Sequence, residues 1–255
     1  MKKGRSETRA AEICVHNVSK SFGSLGNELV VIDDVSFRAR PNEFVALLGP
    51  SGCGKSTILR MVGALEGTTS GTLSIGDSRP DPGRNRLGFV FQGDSLLPWR
   101  TIESNVGLGL EVLEVDPVER VGRVSELIEL VGLRGFESYF PYQISGGMRQ
   151  RAAVARAFAI DPEVLLMDEP FGSLDVQIRA SLQVQLLELW ERLKTTVLFV
   201  THDVEEAVLL ADNVIVFTPR PGRIRETVPI KLPRPRDRLS NDFLVAKRRL
   251  QSLLS

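Results

Sequence analysis

Gly49-Pro50-Ser51-Gly52-Cys53-Gly54-Lys55-Ser56-Thr57 decides the reading of this chain. It follows an apolar run of strand length, Phe44-Val45-Ala46-Leu47-Leu48, and precedes Ile58-Leu59-Arg60-Met61-Val62, which reads as helix. Strand, glycine-rich loop ending in Gly-Lys-Ser, then helix is the setting a phosphate-binding P-loop requires. The glycines let the backbone curl until successive N–H groups converge on one anion. The helix adds its unpaired N-terminal donors and the positive end of its dipole. In such a loop Lys55 reaches the β- and γ-phosphates, and the Ser56 hydroxyl sits on Mg²⁺. The stretch predicts an α/β chain that binds a nucleoside triphosphate.

Composition bounds that reading. A length of 255 residues suits one large α/β domain, or one domain with a lobe inserted. The 32 Lys and Arg balance 32 Asp and Glu, which argues against a general nucleic-acid binder. No apolar run reaches the ~18 residues of a membrane span, so the chain is not expected to cross a membrane itself. The charged start, Met1 to Arg9, has no apolar segment behind it and reads as a solvated tail. Cys14 in an expected strand and Cys53 in the loop suggest no disulfide framework, and a reducing compartment fits.

Residues 12–18 and 30–39 alternate as strands, with Phe22 in the connection between them. An aromatic there either packs or stacks on a base. Residues 72–75 and 87–91 are further strands, and Gln92 stands at the end of the second. Leu96-Leu97-Pro98-Trp99-Arg100 is an apolar cluster in a loop, either tucked under the domain or a docking surface. Thr101 opens a helix, and Val121, Val124, Leu127, Ile128 and Val131 carry a helical spacing over 118–131. Residues from about 94 to 160 therefore form a mainly helical inserted lobe. Ser145-Gly146-Gly147 is a hinge and N-cap ahead of a helix over 150–159.

Val164-Leu165-Leu166-Met167-Asp168-Glu169 is a strand apolar on both faces, which suits the centre of a parallel sheet. Its two terminal carboxylates point to the ligand edge, where they would serve metal and water. Asp175 leads into a helix over 176–194, and a strand over 196–200 ends in Thr201-His202-Asp203. His202 either caps the next helix, starting near Val204, or faces the ligand. Strands over 213–217 and 223–230 follow. Residues 232–238 are basic and interrupted by proline, so they cannot be regular structure. Phe243, Leu244, Leu250, Leu253 and Leu254 predict a short terminal helix with Lys247-Arg248-Arg249 on its other face.

Taken in order, Phe22, the loop at 49–57, Gln92, Ser145-Gly146-Gly147-Met148-Arg149-Gln150, Asp168-Glu169, Asp175 and His202 resemble the ATP-binding-cassette (ABC) ATPase family, from about residue 11 to 230. The Ser-Gly-Gly signature is the most specific part, because it separates this family from other P-loop proteins. The resemblance implies a P-loop NTPase fold: a parallel-sheet core, an antiparallel β subdomain and an inserted helical lobe, followed by a basic tail over 231–255. It also implies roles. Phe22 stacks the adenine, where the family more often has Tyr. Gly49, Pro50, Ser51, Gly52, Cys53, Gly54, Lys55, Ser56 and Thr57 hold the phosphates. Ser56, Gln92 and Asp168 attend Mg²⁺, and Gln92 reports the state of the site to the helical lobe. Glu169 is general base or water orienter, and His202 contacts the γ-phosphate. Ser145, Gly146 and Gly147 close over the ATP of a second copy, with Asp175 bridging the two. Ile144 stands where the family usually has Leu.

Leu96 to Arg100, Thr201 to Ala207, Pro219-Arg220-Pro221-Gly222-Arg223-Ile224 and Leu232 to Arg236 look like importer ATPases for nitrate, sulfonates and taurine. That likeness implies ATP and Mg²⁺ as cofactors and an ATP-dependent homodimer. It further implies two membrane permease subunits, a separate substrate-binding protein, no nucleic-acid partner, and a peripheral position on the cytoplasmic face of the inner membrane. An ABC ATPase of another transporter type stays open. So, more remotely, does a non-transport member, although DNA-repair members carry long coiled-coil insertions and translation-associated ones have two cassettes. Neither feature is present here.

Overall fold

The computed structural model describes residues 10–23, 28–93, 95–172 and 174–254. In chain order the strands are β1 (Ile13–Phe22), β2 (Leu29–Ala39), β3 (Phe44–Leu48), β4 (Ser70–Ile75), β5 (Leu87–Val90), β6 (Val164–Asp168), β7 (Thr196–Thr201), β8 (Asn213–Phe217) and β9 (Ile224–Pro229). The helices are α1 (Lys55–Val62), α2 (Ile102–Val106), α3 (Leu108–Val112), α4 (Pro117–Leu130), α5 (Gly146–Ala159), α6 (Val176–Leu193), α7 (Val204–Leu210) and α8 (Asn241–Leu254), with a 3₁₀ turn at Pro141–Gln143. The tail over 1–9 and the middle of the β1–β2 connection lie outside the described residues.

Two units divide these elements. A helical unit comprises 86–165 and 170–195, and a sheet unit comprises 11–85, 166–169 and 196–254. The helical unit thus takes in β5 and α6 besides the expected 94–160, and residues 231–254 belong to the sheet unit. Among the described residues no helix is long and apolar enough to cross a membrane.

The sheet unit holds a three-stranded antiparallel sheet in the order β2-β1-β4 and a larger sheet running β6-β7-β3-β8-β9. β3 is parallel to both β7 and β8, and β9 closes the edge antiparallel to β8. Every residue of β3 is fully buried, as are Val197 to Val200 on β7. Apolar residues on both faces are what a strand covered on two sides needs. Phe44 and Phe199 meet across that core with ring centroids 5.8 Å apart. The carboxyl ends of β3, β6 and β7 release the P-loop, Asp168-Glu169 and Thr201-His202 at one edge of the sheet. This is where open α/β sheets place their ligands.

Several local readings change. Phe22 is the last residue of β1, paired with Leu29, and not part of a loop. On α4, Val124, Leu127 and Ile128 are buried, but Val121 is 67% exposed and leaves the apolar stripe. The signature helix begins at Gly146, four residues earlier than its apolar pattern shows. Its first turn needs no intrahelical N–H partners, so two glycines are tolerated there.

The carboxyl-terminal segment is irregular over 231–240, yet it is docked. The Arg236 guanidinium donates to the carbonyls of Val208, Ala211, Leu232 and Ile230, and is 8% exposed. Burial, reinforced by the nearby charge of Arg234, lowers its pKa to about 10, so it stays protonated at neutral pH. Phe243 and Leu250 bury the apolar face of α8, and Glu205 on α7 takes Lys247 at 2.7 Å and Arg238 at 3.0 Å. The hydrogen bond from Lys247 is the main cause that holds the Glu205 carboxyl below its ordinary value. A carboxylate depressed in the folded state adds stability above its unfolded pKa, and that stability is lost as pH falls through the folded value. Lys247→Ala is therefore expected to melt below the wild type at about pH 6, by the equivalent of under about 1 kcal/mol. The difference should hold down to the ordinary Glu value of 4.5 and close only as pH falls below it, through the lowered Glu205 value. Melting curves of both proteins across that range check it, and a gap that widens on acidification contradicts it.

Candidate functional site

The P-loop leaves β3 with its backbone wrapped round its own lysine. The Lys55 ammonium, on a side chain only 5% exposed, donates to the carbonyls of Gly49 (2.7 Å) and Pro50 (3.0 Å) and lies 3.8 Å from Cys53 Sγ. Its hydrogen-bond acceptors are neutral carbonyls, so the ammonium keeps a charge that an anion entering the loop can pair with. Gly54 opens α1 with a φ of 103° and no side-chain cap, which leaves the first-turn N–H groups of the helix available. A Cβ at Gly54 would stand 2.3 Å from Ile32 Cδ1, so glycine is required there for space as well as conformation.

Ser56, on the first turn of α1, donates its hydroxyl to Asp168 Oδ1 at 2.7 Å. Asp168 ends β6 and is 5% exposed. Burial pushes its carboxyl up, the Ser56 hydrogen bond pulls it down, and the charge of Glu169 pushes it up again. A buried carboxylate and a hydroxyl side by side form an oxygen pair suited to Mg²⁺. That ion takes one or two protein oxygens and completes its shell with phosphate and water. The residues fit the cation.

Glu169 follows on the same strand end with a φ of 43°, a left-handed conformation uncommon for a non-glycine residue. Its N–H donates to the carbonyl of Val200 at 3.0 Å, which fixes the turn against β7. Its Oε2 lies 3.0 Å from His202 Nδ1. With Nδ1 protonated the ring donates to the carboxylate and keeps Nε2 for another partner. His202 is 57% exposed at the side chain and Glu169 20%, so the pair borders solvent. The cap of α7 is not His202 but Asp203, whose carboxylate accepts from Glu205 N (2.7 Å) and Glu206 N (3.4 Å). The sheet unit thus brings together Lys55, Ser56, Asp168, Glu169 and His202. Phe22, at the end of β1, is 41% exposed, with Lys20 Nζ 4.7 Å from its ring centroid.

The other expected site residues belong to the helical unit. Gln92 is exposed, two residues beyond the end of β5. Ser145 is exposed and caps α5, its hydroxyl accepting from Met148 N at 3.3 Å. A Cβ on Gly146 would meet only Arg149 Nη2 at 3.7 Å, whereas one on Gly147 would stand 2.5 Å from Ile178 Cγ2 of α6. The second signature glycine therefore has a packing reason inside its own unit. Asp175 caps α6 in the same way, accepting from Gln177 N (3.1 Å) and Ile178 N (3.0 Å).

Sequence reading missed Asn105. Fully buried, it accepts from Leu97 N (2.7 Å) and donates to the carbonyls of Leu97, Arg100 and Thr101. These bonds fix the loop that carries Trp99. Nothing in Asn105's sequence surroundings marks it, since the bonds go to backbone atoms.

The family profile described as ABC transporter matches residues 32–172. An uncharacterised ABC transporter ATP-binding protein of Methanocaldococcus jannaschii is 48% identical over 241 residues, 94% of this chain and 90% of that protein. The aliphatic sulfonates import ATP-binding protein SsuB of Bacillus cereus is 39% identical over 231 residues, 91% of each. Among solved structures, the dimeric post-hydrolysis state of the ATP-binding cassette MJ0796, bound to ADP and Pi, matches with a TM-score of 0.75 at 30% identity. That match covers 87% of this chain and all of the other. With the profile spanning over half of the residues and relatives aligned along nearly the whole length, the chain belongs to the ABC transporter family, as an ATPase subunit that binds ATP with Mg²⁺ and hydrolyses it.

Proposed function

We propose that this ATPase powers an importer of a small anion such as a sulfonate, nitrate or taurine, peripheral to the cytoplasmic face of the membrane and docked on permease subunits. The observation that carries the ATPase part is the cluster at the sheet edge: Lys55 in its loop, Ser56 on Asp168, and Glu169 on His202. The P-loop N–H groups and Lys55 hold the phosphates, and Ser56 and Asp168 hold the cation, which neutralises charge on the transferring phosphoryl group. Glu169 takes or orients the attacking water, with His202 keeping the carboxylate in place and directing Nε2 to the γ-phosphate. Phe22 offers its face to the adenine, and Gln92 attends the cation and the attacking water. Ser145, Gly146 and Gly147 act on the ATP of a second copy, with Asp175 at the junction. A site split in this way is complete only when the copies close, which ties hydrolysis to rigid-body motion. The import direction and anion class are supported by the likeness to the Bacillus cereus aliphatic sulfonates import protein.

Docking is assigned to the loop after Gln92. Of the large apolar residues in that cluster, Leu96 is buried and Leu97 half-buried, while Trp99 is 72% exposed on the loop that Asn105 fixes. A rigid, solvent-facing tryptophan is the kind of anchor that dominates interfaces. Trp99→Ala is expected to leave the melting temperature and ATP binding unchanged while permease association drops by about 2 kcal/mol or more. A melting scan beside a pull-down with the permease tests this. A stability loss of about 3–5 kcal/mol would mean that Trp99 is a packing residue instead, and would end the docking assignment.

A further inference from the structure

The β8–β9 turn, Thr218 to Arg223, is pinned on two sides. Toward β2, Gly222 N donates to the carbonyl of Val31 (2.9 Å), Asp33 N donates to the carbonyl of Gly222 (3.1 Å), and Arg223 Nε donates to Asp33 Oδ2 (2.9 Å). Thr218 closes the turn, its N–H donating to the carbonyl of Arg223 (2.9 Å) and its hydroxyl accepting from Arg223 N (3.1 Å). Toward the P-loop, Gly222 packs so tightly that a Cβ there would lie 2.0 Å from the carbonyl oxygen of Cys53. Arg220 then reaches over the loop, and its Nε donates to the carbonyl of Gly52 at 3.0 Å. Gly52 makes room for this: a Cβ on it would meet Arg220 Nη2 at 3.0 Å.

The bonded carbonyl belongs to the Gly52–Cys53 peptide. The N–H end of the same peptide is Cys53 N, directed at the carbonyl of Pro50 (3.4 Å), which also accepts from Lys55 Nζ. That long bond is one an incoming phosphate oxygen can replace. One end of the peptide therefore faces the guanidinium, and the other shares the Pro50 carbonyl with the lysine that holds the phosphates. A cation on the carbonyl fixes the peptide's orientation and polarises it, which strengthens the donor at its far end.

We propose that Arg220 is a positioning residue for nucleotide: through the Gly52 carbonyl it aims the Cys53 N–H at the bound phosphates. The inference rests on the phosphate site assigned above. ATP and ADP should benefit alike if the donor serves a phosphate common to both, and the chemical step should not depend on it.

The test is titration of Arg220→Ala, Arg220→Lys, Arg223→Ala and Lys55→Ala with Mg²⁺–ATP and Mg²⁺–ADP, together with steady-state turnover and melting without nucleotide. Arg220→Ala is expected to raise both dissociation constants about five- to tenfold, the scale of one hydrogen bond to a charged group acting at one remove. Its turnover at saturating ATP and its melting temperature should stay at wild-type values, and Arg220→Lys should restore most of the affinity. Dissociation constants of Arg220→Ala within twofold of the wild type, beside a Lys55→Ala protein that no longer binds, would overturn the proposal and leave the phosphate site standing. Equal weakening in Arg223→Ala would also overturn it, because rigidity of the turn would then be the cause. A Lys55→Ala protein that binds like the wild type would overturn the site and the proposal together.

Discussion

Glu169→Gln is expected to bind Mg²⁺–ATP as tightly as the wild type and to hydrolyse it about 10²–10⁴-fold more slowly, the loss that follows removal of a positioned general base. The substitution keeps size and one acceptor oxygen, so the hydrogen bond with His202 Nδ1 at 3.0 Å can persist through the amide oxygen. The backbone turn at φ 43° and the bond from Glu169 N to Val200 do not involve the carboxylate. Only its charge and basicity go. The phosphate-binding atoms of Lys55 and the Ser56–Asp168 pair are untouched, which is why affinity should hold while turnover collapses. Equilibrium ATP binding beside phosphate release measures both halves. Turnover near the wild-type rate would remove Glu169 from the chemistry. Equal losses in affinity and turnover would make it a structural residue of the strand end.

The parts of the fold legible in the sequence were those in which a local pattern and its tertiary use coincide. Phe44 to Leu48 and Val164 to Met167 are apolar on both faces, and they are buried on both faces. Gly54 is demanded by the loop's own backbone, and Asp175 caps the helix that starts beside it. Elsewhere the controlling contact was far away in sequence or ran through backbone atoms. His202 and Asp203 both suit an N-cap. Only the fold, by bringing Glu169 within 3.0 Å of the histidine, separates their uses. Val121 keeps the helical period of its neighbours yet faces solvent, because periodicity gives a stripe but not its width.

Phe22 reads as loop because the alternation of β1 fades near its end, although the strand runs on by pairing with Leu29. The basic segment over 232–238 is irregular, as its prolines require, but its charges do not show where it docks: Arg236 satisfies the carbonyls of Val208 and Ala211 at the end of α7, and Arg234 pairs with Asp212. Arg220 left a sequence trace only as part of Pro-Arg-Pro-Gly-Arg, a turn signal that cannot say which carbonyl its arginine will reach.

The second large effect concerns assembly. In the helical unit, Ser145 and Asp175 are exposed at the N-termini of α5 and α6, and so is Gly146. In the proposed mechanism the signature closes on ATP held by another copy, so ATP itself glues the two chains until hydrolysis releases them. A hydrolysis-deficient protein should trap that state. The most direct test of this composite site is the mass of Glu169→Gln in solution, by light scattering, with and without saturating Mg²⁺–ATP. One chain is expected without nucleotide and two chains with it, with reversion to one chain when Ser145→Arg is added to block the signature. A protein that stays monomeric at saturating ATP, or a dimer indifferent to Ser145→Arg, would contradict it.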